Sequence, residues 1–470
     1  MHGPSSNSIA SPSANAEINF RYLWMIAFVA ALGGMLFGYD WVVIGGAKPF
    51  YESYFRLTSE AQIGWANSCA LTGCFVGSFV GGRCNDYIGR KRALLFAALL
   101  FTVSSLFTGW AFSFTSFICW RILGGGAIGV VSNVSPTYIA EISPAEWRGR
   151  LVSLNQLSLV IGILGAQIVN WRIARPVPAA LSAQAMAATW NVQYGWRWMF
   201  TAVAIPALLF MVATPFIPES PRWLVAHHQL SSAGHVLCKI GGKRYRQSEL
   251  ESIQQSLAGA HEKVTWSEML HGKILRLLLV GIGLVALQQG SGINILFNYA
   301  EEVYRSAGYG VNDILFNIVV TGSINLIFTI FAMLLVDRFG RRRLMLLGSV
   351  LIGMCHLGAS IAYRMQIHGF WILALTLGAI ACYAMTLAPI TWVLITEIFP
   401  NRYRGTAVSI SVAALWIASF VLTYTFPILN RVVGSAGAFL VYSGICFLGA
   451  IFIFLAVPET TGTSLDKIDA

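Results

Sequence analysis

Apolar runs of about twenty residues recur along the chain, separated by short polar segments. They lie at 22–44, 62–82, 93–113, 115–137, 152–172, 196–217, 275–300, 313–336, 344–364, 370–395, 407–428 and 434–457. As a helix, each is long enough to cross a hydrocarbon layer roughly 30 Å thick. The pattern therefore predicts twelve transmembrane helices and an all-α membrane protein. Short segments of alternating polarity, which would predict a β-barrel, are not the pattern here. The first 20 residues are rich in Ser, Asn, Ala and Pro, with no basic patch ahead of a short apolar core. They predict a disordered tail, with the first span retained.

Composition agrees. A length of 470 residues would allow a soluble protein of several domains, but 56% of the residues are apolar and only 11% charged. The mean hydropathy is +0.66. With an even number of spans both termini share a side. Placing them in the cytoplasm puts 22 of the 31 Lys+Arg on the inner side and 8 on the outer, with Arg121 inside a span. That bias satisfies the positive-inside rule and predicts a multi-pass protein of the inner membrane. The net charge of +11 then belongs to surfaces facing lipid headgroups, and no nucleic-acid partner is implied. The eight cysteines (69, 74, 84, 119, 238, 355, 382 and 446) form no CxxC pair and read as reduced structural thiols. No HExxH, Walker loop or dinucleotide fingerprint occurs. An enzyme, an ATP-driven pump, a metal site and a bound cofactor are therefore not expected.

The chain repeats itself. Asp86-Tyr-Ile-Gly-Arg90 returns as Asp337-Arg-Phe-Gly-Arg341, and Glu141-Ile-Ser-Pro with Arg148 returns as Glu397-Ile-Phe-Pro with Arg404. Pro218-Glu219-Ser220 is echoed by Pro458-Glu459-Thr460. Two six-helix bundles, 21–217 and 275–457, are predicted. A cytoplasmic linker with short helices (218–274) joins them, and cytoplasmic tails occupy 1–20 and 458–470. The repeated carboxylates and guanidiniums sit at one membrane face, where they can form an ion-pair network that closes and opens as a gate. Its members would be Asp86, Arg90, Glu141, Arg148, Glu219, Asp337, Arg341, Glu397 and Arg404. Topogenic charge with loop capping is the alternative.

Two sets of polar residues interrupt the apolar spans. In GLVALQQGSGINILFNY (283–299), Gln288, Ser291, Asn294 and Asn298 share an arc of about 120° on an ideal helix. Gln289 falls outside it, though Gly290 and Gly292 can loosen the helix and bring it round. Primary amides offer donors and acceptors together, which suits a polyol. Bonding between helices is the other use of such residues. Separately, Asp40 is the carboxylate well inside a span and Arg121 the matching cation at similar depth. Pairing relieves the cost of charge in the membrane. The pair is either a static ion pair or a proton carrier.

The ordered motifs GGRCNDYIGRKR, RILGGGAIGV, PTYIAEISPAEWRGRL, PESPRWL, QQGSGIN, VDRFGRRR, TEIFPNRYRGTA and PETTGTSLDKI resemble those of the sugar porter family of the major facilitator superfamily. The similarity runs from about residue 20 to 468. It is nearest to bacterial proton-coupled, xylose-type symporters and more distant from animal facilitative glucose transporters. The resemblance implies the major facilitator fold, two pseudo-symmetric bundles that rock around a central site. It implies sugar contacts by Gln288, Gln289, Asn294 and Asn298, and, by matching motif positions, by Gln156, Asn325, Trp392 and Trp416. It also implies proton coupling through Asp40 with Arg121, since symporters of the family carry Asp there and uniporters generally do not. Departures occur at Ile163 and Leu415, where xylose-transporting relatives carry glutamine, and at Asn298, where they carry tyrosine. These leave the sugar as a hexose or a pentose.

The expected function is import of a monosaccharide with a proton, by a protein acting as a monomer in the bilayer. The alternatives are a facilitative uniporter, which Asp40 argues against, and a sugar sensor. A sensor would need a cytoplasmic output segment, and about a dozen residues follow the last span. Drug export is disfavoured by the PESPRWL and QQ-x-x-G-x-N motifs.

Overall fold

The computed structural model describes residues 18–177, 183–258, 266–367, 369–400 and 402–459. The tails expected at 1–20 and 458–470 lie almost wholly outside the described residues, as does the side chain of Asp337. Among the described residues the chain is helical, with no strand.

The first half comprises α1 (Phe20–Phe55), α2 (Glu60–Ile88), α3 (Arg90–Gly109), α4 (Phe114–Ile142), α5 (Arg148–Ile173) and a short α6 (Ala183–Ala187). Its sixth span is assembled from a π-turn at Asn191–Gly195, α7 (Trp196–Thr201) and α8 (Ala204–Ala213). Between the halves run α9 (Pro221–Ala226), α10 (Leu230–Ala258) and α11 (Trp266–Met269). The second half comprises α12 (Gly272–Gly290), α13 (Ile293–Asn298), α14 (Ala300–Ser306), α15 (Val311–Phe339), α16 (Arg341–Arg364), α17 (Phe370–Met385), α18 (Leu387–Glu397) and α19 (Arg404–Ala456). Unbroken, the 53 residues of α19 would run roughly 80 Å, far beyond a bilayer core. Gly434 breaks the helix with φ 67°, so α19 supplies two spans. The twelve predicted spans are thereby accounted for.

Two departures from the predicted boundaries matter. The first helix continues past 44 to Phe55, where Arg56 adopts the left-handed conformation with φ 52°. Lys48 and Glu52, expected in an outer loop, are therefore helical. The sequence offered no breaker there except Pro49, which the helix accommodates. The tenth span is divided at Thr386, which separates α17 from α18.

Large apolar side chains such as Ile205, Leu334, Phe454 and Leu455 are exposed, while small residues line the helix contacts. This is the distribution expected of a lipid-facing surface, since no hydrophobic force drives one helix onto another in lipid and close backbone approach must do so. Gly125 of α4 meets the Ala70 carbonyl of α2 so closely that an added Cβ would collide with it. Gly125→Ala is accordingly expected to destabilise the fold by about 1–3 kcal/mol. A fall in the thermal midpoint of the detergent-purified protein would register it; an unchanged midpoint would contradict the packing described.

The duplication is visible atom by atom. Gly89 and Gly340 form equivalent turns with φ 97° and 82°. Glu219 accepts from the Arg90 and Lys91 backbone N–H groups at 2.9 and 3.1 Å. Glu459 accepts from the Arg341 N–H at 3.2 Å. Each carboxylate thus caps the helix that follows a repeated turn, satisfying N–H groups that helix geometry leaves free.

Candidate functional site

The polar stripe is not one continuous helix. α12 stops at Gly290, Gly292 takes φ 79°, and α13 restarts at Ile293. The break brings Gln289 to the same cluster as its neighbours. Gln288, Gln289, Asn294 and Asn298 are all buried. The Gln289 amide donates to Gln288 Oε1 at 3.4 Å, and Asn294 Nδ2 donates to Gln289 Oε1 and, at 3.2 Å, to Ser419 Oγ of α19. Gln288 Nε2 donates to the Leu387 and Ala388 carbonyls at 3.2 Å, at the start of α18 where the tenth span is broken. Asn298 Oδ1 is buried with no hydrogen-bond partner in the protein. Ser291, counted in the stripe, instead serves the scaffold. Its hydroxyl donates back to the Gln288 carbonyl at 2.8 Å, and its own carbonyl meets the His356 ring at 2.8 Å.

The remaining predicted contacts lie on other helices. Asn325 of α15 and Trp416 of α19 are buried, and the Trp416 indole N–H has no protein partner. Trp392 on α18 and Gln156 on α5 are half-buried. Phe37 of α1 reaches across to Trp416, with ring centroids 5.9 Å apart. Of these residues the second half carries the amides and indoles, and the first half carries Phe37 and Gln156. Such a lining, neutral and rich in both donors and acceptors, fits a polyhydroxylated ligand with apolar C–H faces.

Asp40 and Arg121 are brought together as expected. Both are about 3% exposed, and Arg121 Nη1 donates to both carboxylate oxygens of Asp40 at 3.1 Å. The guanidinium also lies 5.4 Å from the Phe200 ring centre. No other carboxylate is paired with Arg121 among the described ion pairs, so the state of Asp40 determines whether this cation is neutralised.

The repeated charges form part of the expected network. Arg90 forms a two-pronged bond to Glu141 at 2.9 Å and pairs with Asp86 at 3.3 Å. Ser220 also donates to Glu141 at 2.5 Å. Arg341 lies 3.8 Å from Glu397. Arg148 and Arg404, expected as members of that network, donate to the Ala140 and Phe399 carbonyls at 3.1 and 3.2 Å. Glu141 is already engaged, which leaves Arg148 a carbonyl. The described ion pairs among them each tie helix ends within one half, while Ser220 joins the first half to the segment between the halves.

A charged cluster that sequence reasoning missed bridges the halves at the opposite end of the bundle. Lys48 on α1, 1% exposed, pairs with Glu302 of α14 and with Glu52 at 3.0 Å, with Glu301 at 3.9 Å. Arg305 pairs with Glu301. Around it α2 and α19 touch: an added Cβ on Gly64 would collide with the Tyr424 carbonyl, and Trp65 packs on Phe420 at 6.1 Å. Arg431 and Glu60 approach to 3.8 Å at the same end. The signal was present in the sequence as a lone cation and a Glu-Glu pair at matching depth, but ending the first span at 44 placed Lys48 in a loop.

Comparison with known proteins agrees with this geometry. The family described as "Sugar (and other) transporter" matches residues 26–470. The chain is 35% identical to the D-xylose–proton symporter of Escherichia coli, over 97% of each protein. It is 39% identical to the glucose transport protein of Synechocystis, over 98% of this chain and 100% of that one. Among solved structures, the xylose transporter of Escherichia coli in a partially occluded, inward-open conformation superposes with a TM-score of 0.84 at 33% identity. That match covers 94% of this chain and 100% of the other.

Proposed function

The chain belongs to the sugar transporter family of the major facilitator superfamily, and from that premise we propose that it imports a monosaccharide together with a proton. The observation that carries coupled transport is the buried Asp40–Arg121 pair, set in a protein whose relatives include a D-xylose–proton and an arabinose–proton symporter. The substrate is a hexose or a pentose held in the amide and indole lining. Both termini are cytoplasmic, so the end bearing the Arg90 and Arg341 turns faces inward and the Lys48 cluster faces out. The carrier acts as a monomer.

The geometry supports the following cycle. With the outer end open, sugar enters the cluster of Gln288, Gln289, Asn294, Asn298, Asn325, Trp392, Trp416 and Gln156, and Asp40 takes a proton. Neutral Asp40 no longer balances the charge of Arg121, so the loaded carrier can close its outer end and open inward. Sugar and proton leave, and the re-formed ion pair accompanies the return. One charge moved down about 100 mV supplies roughly 2.3 kcal/mol, which corresponds to accumulation of roughly 50-fold.

Uptake of labelled xylose, glucose, galactose and arabinose into proteoliposomes with an inside-alkaline gradient tests this reading. Accumulation of one of them above equilibrium is expected. Equilibration without accumulation would make the protein a uniporter, and no movement of any sugar by folded protein would favour a sensor. Within the site, Gln289→Leu is expected to strip one amide from the sugar and leave Asn294 without one of its two acceptors. An unpaired buried polar group costs about 1–3 kcal/mol, so sugar affinity should fall roughly 10- to 100-fold. Titration of intrinsic tryptophan fluorescence with sugar would measure it. An unchanged affinity would remove Gln289 from the site.

A further inference from the structure

Arg121 and Trp416 line the same small cavity, together with Phe37, Trp41 and Asn67. Its volume is about 10 Å³, the space of one water-sized group. Four of its lining residues carry a buried polar atom without a protein partner: the Trp41 and Trp416 indole N–H groups, Arg121 Nε and Asn67 Oδ1. Asn67 is 4% exposed and its amide Nδ2 already donates to the Ile63 carbonyl at 3.0 Å, so its orientation is held and the acceptor is the free atom. Arg121 spends Nη1 on Asp40 at 3.1 Å, while its Nε–H remains. Aromatic rings close the space, Phe37 stacking on Trp41 with centroids 5.7 Å apart.

Three N–H donors and one carbonyl acceptor around a space of this size specify a particular chemistry. A carboxylate or ammonium would exceed the space or repeat a charge. A neutral hydroxyl donates one hydrogen bond and accepts two, so it answers the Asn67 acceptor and two of the donors at once. Buried polar atoms without partners are costly, and four of them on residues that line one cavity call for a ligand group. Water and a sugar hydroxyl share this chemistry. Trp416 lines the cavity and stands on α19 three residues from Ser419, which accepts from Asn294 of the amide cluster, and this favours the sugar.

We propose that this cavity is a hydroxyl subsite of the sugar site, built by Trp41 and Asn67 of the first half and Trp416 of the second, which sets one sugar hydroxyl against Arg121. It rests on the sugar–proton reading above and adds to it a direct contact between the transported sugar and the cation that guards Asp40. It also names what the first half contributes to specificity. Where Ile163 and Leu415 supply no amide, Asn67 supplies one from α2.

Equilibrium counterflow in proteoliposomes tests the subsite, because exchange needs no pH gradient. The sugar that the parent exchanges best is compared with its series of monodeoxy analogues in the parent, Asn67→Val and Trp41→Phe. Asn67→Val is expected to raise the half-saturating concentration roughly 10-fold for the full sugar. For one monodeoxy analogue, lacking the hydroxyl that occupies the subsite, parent and variant should be equal. Trp41→Phe, which deletes only an N–H within an aromatic of related shape, should show a smaller loss that vanishes with the same analogue. Proportional weakening of every analogue would overturn the subsite and leave Asn67 a packing residue. No weakening in either variant would mean that the cavity holds water only, and would also overturn it. Failure of the parent to exchange any sugar would be a separate result, removing the transport reading and the subsite with it.

Discussion

Asp40→Asn is expected to abolish uphill accumulation while leaving sugar exchange within a few-fold of the parent. Asparagine keeps the shape of the side chain and its acceptor oxygen, so it can still receive a bond from Arg121, which lies 3.1 Å away in the parent. It cannot bind or release a proton, and its neutrality imitates the protonated carboxyl in which Arg121 has lost its counter-charge. A carrier locked in that state should cycle with sugar bound but gain nothing from a pH gradient. Accumulation should drop from roughly 50-fold, the value one charge across about 100 mV supports, to unity. Labelled-sugar uptake against a gradient, read beside counterflow in the same vesicles, separates the two. Retained accumulation would place the proton on another group. Loss of exchange as well would make the pair structural, since removing one member of a buried pair exposes the other's uncompensated charge.

How far the sequence could be read depended on how each feature is encoded. The twelve spans were legible because membrane crossing writes itself in runs of about twenty apolar residues, and the duplication because turns such as Asp86–Arg90 recur in register. The cluster around Gln289 was legible too: Gly290 and Gly292 flag a break, and the break does bring Gln289 to Asn294. Helix ends were not. Nothing in the hydrophobic pattern says that α1 runs on to Phe55, and with that continuation went the Lys48 cluster. Partner choice was equally hidden. Arg148 and Glu141 are close in sequence, yet Glu141 is taken by Arg90 and Ser220 from other segments. Asn67 and Trp41 carry no pattern at all in an apolar span. They became visible only because the fold leaves polar atoms of both without partners beside one cavity.

Lys48→Met should shift the carrier toward the form open at the end where Lys48 lies. Methionine keeps the length and much of the volume, so the packing of α1 against α13 and α14 is little changed. What is lost is the cation facing Glu52, Glu301 and Glu302, of which, among the described ion pairs, only Glu301 has a second partner, Arg305. Removing one side of a buried ion cluster typically costs about 3–5 kcal/mol, and that cost falls only on the closed form, because opening lets water reach the carboxylates. A bias of even roughly 3 kcal/mol changes the ratio of the two forms on the order of 100-fold. The effect should depend on pH in a definite direction. Burial pushes the Glu302 carboxyl up to about 8, and Lys48 is the group that opposes this. Without Lys48 the carboxyl is held higher still, so protonation relieves the closed form as pH falls and the penalty grows as pH rises past 8. Opening in Lys48→Met should therefore be greater at pH 8.5 than at pH 6. Spin labels at Ser59→Cys and Val432→Cys, exposed positions on the two sides of this end, would report it as a longer distance. Lys48→Arg, which keeps the cation, should restore the parent distance. An unchanged distance at high pH would show that close helix contacts such as Gly64 against Tyr424, and not the ion cluster, hold this end shut.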